Sequence, residues 1–314
     1  MRQSIVKSAC ISGLDITSPD VEVTVSSGLP YYRVVGLGDS AVRESGQRVK
    51  LALKSSGFRW PDRKITVNLS PAWMNKKGSA FDLPIALGIL QAQGEIHPDL
   101  KLSAWGELGS DGKIKTVPSA LCYADALAGD PERIVIQPEE AEAVLRPYHR
   151  GGLYAAHLNE IKALLQEEAL EHYQAYELKR HPGEGFFRQE RGEEEKFPLH
   201  LQEAAWRAVM ISAAGAHHLM LEGAAGCGKT TLARAARYLL PPLSEEVLYA
   251  YALNRALADP SASDQSIFSS VPFRAPHHSV TAAALLGGSR RYPVGEAALA
   301  DCGFLFLDEI SEYS

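Results

Sequence analysis

The segment 219–240 constrains the fold more than any other part of the chain. An apolar triplet (Leu219, Met220, Leu221) runs into a glycine-rich turn and then into a helix-forming stretch. Gly223, Gly228, Lys229 and Thr230 have the spacing G-x-x-x-x-G-K-[ST] of a phosphate loop. Glycines let the backbone curl closely, with successive N–H groups pointing inward at an anion. The helix that follows offers its N-terminus to the same charge. In such a loop, formed here by Gly223, Ala224, Ala225, Gly226, Cys227, Gly228, Lys229, Thr230 and Thr231, the lysine reaches the β- and γ-phosphates and the Thr230 hydroxyl takes a place on Mg²⁺. A strand that turns into a helix this way predicts an α/β layer and a nucleotide site.

A second stretch fits the first. Phe304, Leu305, Phe306 and Leu307 form an apolar run that ends in Asp308 and Glu309. Alone, this reads as a buried strand followed by a solvated acidic turn. After a phosphate loop it reads as the other half of the site, with Asp308 on Mg²⁺ and Glu309 polarising the attacking water.

The chain has 314 residues, 46% of them hydrophobic and 22% charged, which suits soluble globular domains. Its net charge of −6 gives no global case for a polyanionic partner and leaves local basic surfaces open. The four cysteines (Cys10, Cys122, Cys227, Cys302) lack metal-site or disulfide-framework spacing, and Cys227 sits where alkylation would obstruct a nucleotide. No membrane-length apolar run or signal-peptide core is present, so the expected location is cytoplasmic.

The first 165 or so residues alternate strand and helix signals, enough for one domain. Strands are expected over 5–11, 21–26, 31–35, 64–69, 133–137 and 153–157, with a hairpin of 103–108 and 113–115 around Ser110, Asp111 and Gly112. Helices are expected over 40–56, 81–93, 118–128, 138–145 and 159–168. The first would be capped by Asp39, stopped by Gly57 and buried along Val42, Val49 and Leu53. Residues 181–196 mix Gly, Pro and glutamates and read as a mobile, solvated linker. Residues 202–213 would form an amphipathic helix leading into the phosphate loop.

Longer stretches carry a resemblance. In the first half they are SGLPYYRVVGLGDSAVRESGQRVKLALKSSGF, KITVNLSPAWMNKKGSAFDLPIALGIL and WGELGSDGKIKTV; in the second, GAAGCGKT, LLPPLSEE, PFRAPHHSVTAAALLGG and FLFLDEISEYS. Together they resemble the magnesium-chelatase-like AAA+ ATPases, specifically those of the ComM (YifB) type, over nearly the whole chain except the linker. The resemblance implies an α/β protein in three parts. Residues 1–168 would be an α+β domain with the Lon-protease-like (ribosomal protein S5 domain 2-like) fold, 169–198 an acidic linker, and 199–314 the first part of a parallel-sheet P-loop AAA+ domain. It implies ATP and Mg²⁺ as cofactors, with Lys229 and Glu309 as catalytic residues and Thr230 and Asp308 on the metal. It also implies a homo-oligomeric, hexameric ring and DNA as partner, ATP hydrolysis driving branch migration in natural transformation. Related subunits drive metal insertion into porphyrins.

Lon-like folds can carry a Ser–Lys dyad. Matching the nucleophile motif to 77–82 places Ala80 at the serine position and Leu121 near the lysine, and no lysine is placed to deprotonate Ser79. The first domain therefore reads as a scaffold or DNA-handling module without peptidase activity. Asn75, Lys76 and Lys77 form a small basic loop; Arg43, Arg48, Lys50 and Lys54 lie on a helix. Both sets read as solvated faces, with phosphate contact as the functional alternative. His277 and His278 would point different ways on a strand, which argues against a shared metal. The resemblance places them at the second core strand and the start of an inserted helix–loop, which implies a positioning or pore-facing role. His217 and His218 read as strand-edge residues, and Arg290 and Arg291 as part of a flexible insert, either a solvated loop or a contact to substrate or an adjoining subunit.

The resemblance places the first sensor residue, an arginine finger, a helical lid and the strand between 219–221 and 304–307 beyond Ser314. The expectation is an incomplete AAA+ module with weak or no ATP turnover. Two other readings stay open: a non-catalytic remnant whose first domain is an interaction module, and a metal-chelatase motor subunit.

Overall fold

A computed structural model describes residues 1–148, 150–166, 203–224, 226–240, 243–259, 271–288 and 294–312. The linker 169–198, Ala225, Arg290 and Arg291 lie outside the described residues, as do the ends of the helices expected over 159–168 and 202–213. The chain divides into two units, Met1–Glu184 and Gly185–Ser314.

The first unit is built on a seven-stranded mixed sheet. Its strands are β1 (Arg2–Lys7), β4 (Asp20–Ser26), β5 (Tyr31–Val35), β6 (Lys64–Ser70), β7 (Leu102–Ala104), β10 (Ile134–Pro138) and β11 (Leu153–Ala155). They lie in the order β11-β10-β7-β1-β4-β6-β5. Two small hairpins stand apart, β2 (Cys10–Ser12) with β3 (Asp15–Thr17), and β8 (Glu107–Leu108) with β9 (Ile114–Lys115). The β1–β4 and β4–β6 pairs are antiparallel and the other four are parallel. Alternation decides the faces: Val21, Val23 and Val25 of β4 stand opposite Leu69, Val67 and Ile65 of β6, all buried, while the residues between them are half-exposed.

Two helices cover that apolar face. The first, α1 (Ser40–Ser55), starts at Asp39, whose carboxylate accepts from Val42 N at 3.0 Å, and Gly57 beyond its end has φ 82°. It buries Val42, Val49, Ala52 and Leu53. Gly46 is required by packing, since a Cβ there would lie 2.3 Å from the Tyr32 ring. The second, α2 (Asp82–Gln93), is buried on all sides from Asp82 to Ala92, which explains its almost entirely apolar sequence. Burying each large aliphatic side chain contributes about 1.5–3 kcal/mol. Further on lie α3 (Ala120–Leu127), α4 (Glu142–Leu145) and α5 (Ile161–Leu164). Tyr123 of α3 stacks on the buried Trp105, whose indole N–H donates to Gln137.

Several expectations need correction here. The expected strand 5–11 breaks at Ser8 and Ala9 into β1 and β2. Residues 102–104 belong to the main sheet beside β1, so the hairpin after them is only β8 and β9. Pro138 ends a strand rather than starting a helix, and a single 3-10 turn precedes α4. Lys76 is 0% exposed rather than part of a solvated loop: its ammonium donates to the carbonyls of Leu69 (3.0 Å) and Pro71, and burial pushes its pKa down. Arg48 is likewise committed, in a bidentate pair with the fully buried Asp82 (2.6 and 2.9 Å).

The second unit contains α6 (Glu203–Gly215), α7 (Lys229–Ala236), α8 (Glu245–Ala258), α9 (Ala282–Leu286) and α10 (Glu296–Leu299). It also has a two-stranded parallel ladder, β12 (Phe273–Arg274) with β13 (Phe304–Leu305). Residues 219–221 form no strand: Leu219 is 42% and Met220 72% exposed. An apolar triplet stays extended and buried only where neighbouring strands take up its backbone N–H and C=O groups, and none does so among the described residues.

Candidate nucleotide site

The candidate phosphate loop runs into a helix among the described residues. Gly226 (φ 78°) and Gly228 (φ 89°) are in the left-handed region, and Gly228 caps α7, so the helix begins at Lys229. A Cβ on Gly223 would lie 2.8 Å from Cys227 Sγ, so the loop closes tightly at its start. The first N–H groups of α7 have no partner within the helix and face the loop mouth. Lys229 donates to the carbonyls of Gly223 (2.8 Å) and Ala224 (3.0 Å), with Cys227 Sγ at 3.9 Å. The ammonium thus lies across the loop, held by exchangeable carbonyl bonds. Thr230 is half-buried one residue into the helix and Thr231 is exposed.

The acidic pair follows β13. Phe304 N donates to Pro272 O (2.9 Å) and Phe306 N to Arg274 O (2.8 Å), which carries the ladder up to the carboxylates, and Phe306 stacks on Phe273. Phe304 also packs against the small cluster of Val209, Leu232 and Ala236. Because Leu232 and Ala236 lie on α7, the phosphate-loop helix and the acidic strand share one apolar cluster. Asp308 and Glu309 themselves are exposed. Among the described residues no hydrogen bond or ion pair joins either to the loop.

Glu309 has a partner that the sequence did not reveal. Its carboxylate lies 3.5 Å from His278 Nδ1, and its own backbone is left-handed (φ 52°). His277 and His278 lie in a turn rather than on a strand, and their rings approach to 4.0 Å instead of diverging. His277 Nδ1 is 2.8 Å from Ser279 Oγ. Arg274, at the start of this segment, is fixed by a bidentate pair with Glu296 of α10 (2.6 and 2.7 Å), which raises its pKa. These pairs span 22 and 31 positions, beyond the reach of local pattern. His217 closes α6, its N–H on Ser212 O, instead of edging a strand.

The dyad positions of the first unit carry no comparable chemistry. Ala80 and Leu121 are each 1% exposed, and Ser79 donates to Glu107. Among the described residues no group of three or more His, Cys, Asp or Glu could hold a metal. No helix among them is long and apolar enough to cross a membrane.

Comparison with known proteins finds a match in each half of the chain. Residues 21–141 match a family described as subunit ChlI of Mg-chelatase, and residues 199–314 match magnesium chelatase, subunit ChlI. The chain is 35% identical over 317 residues to YifB of Salmonella typhimurium and 35% over 321 residues to YifB of Escherichia coli. It is 33% identical over 321 residues to competence protein ComM of Haemophilus influenzae. All of this chain is covered in each case. The chain belongs to the magnesium-chelatase ChlI-like family that includes YifB and ComM. It spans about 60% of the length of these curated relatives.

Proposed function

We propose that the second unit binds ATP with Mg²⁺ and that the protein is an ATP-driven motor of the AAA+ class acting on DNA as part of a hexameric ring. The observation that carries this reading is the phosphate loop at the start of α7, with Phe304 of β13 packed on the same helix. Lys229 would exchange its bonds to the Gly223 and Ala224 carbonyls for the β- and γ-phosphate oxygens. Gly223–Thr231, Ala225 included, would cradle the phosphates through backbone N–H groups. A hydroxyl and a carboxylate, Thr230 and Asp308, are hard oxygen donors that suit Mg²⁺, which would neutralise charge on the transferring group. Glu309 would orient the attacking water and accept its proton. DNA and the ring come from kinship with ComM rather than from a contact in this chain.

The test is equilibrium binding of a fluorescent ATP analogue with and without Mg²⁺. Lys229→Ala should weaken binding at least tenfold, about 1.4 kcal/mol. In the full-length protein Glu309→Gln should keep the parent affinity and release less phosphate. Equal affinity in Lys229→Ala would sink the reading and leave the first unit as an interaction module.

A further inference from the structure

Charge in the first unit is unevenly spread. Residues 31–64 hold eight Lys or Arg against three Asp or Glu, an excess of five positive charges in a chain whose net charge is −6. Arg48 is committed to Asp82 and Arg59 to Asp62. Arg33, Arg43, Lys50, Lys54, Arg63 and Lys64 are all exposed and have no ion-pair partner among the described residues. Three of them follow the period of α1: positions 43, 50 and 54, with Gln47 between, make one solvent-facing stripe. The others lie on the edge of the sheet. β5 is the terminal strand, paired only with β6, and in that register Tyr31 stands beside Lys64 and Arg33 beside Thr66.

Packing makes these two sets neighbours. The Tyr32 ring occupies the space above Gly46, which seats α1 directly against β5. Tyr32 OH lies 3.3 Å from Ser45 Oγ, and its ring is 5.9 Å from Trp60. Lys50 Nζ in turn lies 5.9 Å from the Trp60 ring. Tyr31, 49% exposed, presents a ring at the same edge. The basic side chains therefore border one rim, fixed by an aromatic contact between helix and strand.

We propose that this β5–α1 rim binds the sugar–phosphate backbone of nucleic acid, without reading sequence. A row of unpaired cations on a rigid edge suits a polyanion whose charges repeat at regular spacing. The inference gives the DNA partner proposed above a location and rests on that part of the reading, but it is independent of the nucleotide site. Charge on an edge strand also guards against aggregation. The two roles separate under charge reversal, because a glutamate guards an edge as well as an arginine does and repels phosphate.

The experiment is a fluorescence-anisotropy titration of the whole chain with a labelled mixed-sequence DNA duplex over a series of salt concentrations. The triple variant Arg33→Glu, Lys50→Glu, Lys64→Glu should lose at least tenfold in affinity. Its plot of log affinity against log salt should flatten by about two to three, near 0.9 for each phosphate no longer neutralised. Circular dichroism should be unchanged, since all three side chains are exposed. The milder pair Arg43→Gln, Lys54→Gln should lose less, in the same direction. Lys101→Glu, an exposed cation beside β7 and four strands away from β5, should cost little. Parent-like binding by the triple variant, or an equal loss in Lys101→Glu, would overturn the assignment of this rim. Absence of DNA binding by the parent chain would overturn both the rim and the DNA part of the functional reading, leaving nucleotide binding to its own test.

Discussion

Lys76 and Lys229 each donate to two backbone carbonyls, and their difference in setting separates the two units. Lys76 is 0% exposed, beside the core of the first unit, and bridges Leu69 and Pro71 at the end of β6. Around it Asp39 ties the start of α1 to Gly78 N (3.0 Å), and Lys76 itself pairs through its backbone with Leu37 and Asp39. Lys229 sits half-buried at the mouth of a loop, on the helix whose Leu232 and Ala236 form a cluster with Val209 among the described residues. A sealed ammonium replaces solvent as a structural bond; an accessible one is available to exchange partners. The same residue type with the same local bonds thus belongs to a closed core in one unit and to an open loop in the other.

Lys76→Ala should break this comparison most visibly. It removes the buried stem and leaves two carbonyls unpaired, a cost of about 3 kcal/mol in the urea unfolding of the first unit. Nucleotide affinity should stay at the parent value. A neutral result in unfolding would mean that Lys76 is as exchangeable as Lys229. Gly46→Ala comes next: its Cβ would meet the Tyr32 ring, and overpacking of this kind costs about 1–3 kcal/mol. Thermal unfolding should register it, with loss of rigidity at the β5 edge.

Asp82 sharpens the same point through pH. Burial raises its pKa to about 6, against the opposing hydrogen bond and charge of Arg48. The folded state therefore holds this proton more tightly than the unfolded chain does. Its contribution to stability is full below pH ~4 and declines as pH rises through about 6, with a slope of up to ~1.4 kcal/mol per pH unit. Denaturant midpoints from pH 4 to 7 should show that component in the parent and lack it in Asp82→Asn. An identical pH profile in the variant would remove Asp82 as the source. The smallest expected effect is on the other side of the comparison: Lys229→Ala should shift unfolding by less than about 0.5 kcal/mol, the usual range for open surface positions. A larger loss would show that the loop lysine also holds the fold.

Local signals carried well where they were self-contained. β5 and α1 lie where alternation, the Asp39 cap and the Gly57 stop place them, because each signal acts within a turn or two. β7 departs from the expected hairpin because its neighbour β1 lies about a hundred positions earlier, and only the closed sheet brings them together. The 3.5 Å approach of His278 to Glu309 is likewise a product of the turn at 277–280, where the residue pattern suggests a strand.

The sequence by itself determined where the glycine-rich loop lies and that a helix follows it, because backbone freedom at glycine and the helix period are properties of neighbouring residues; the start of that helix at Lys229 came from the structure. It also determined the α/β class and the family. Tertiary structure alone decided which lysine is sealed and which is open, that Arg48 belongs to Asp82, and that the cations of α1 and β5 meet at one rim. Burial and charge pairing depend on which distant surfaces come together, and the spacing of residues along a chain does not encode that directly.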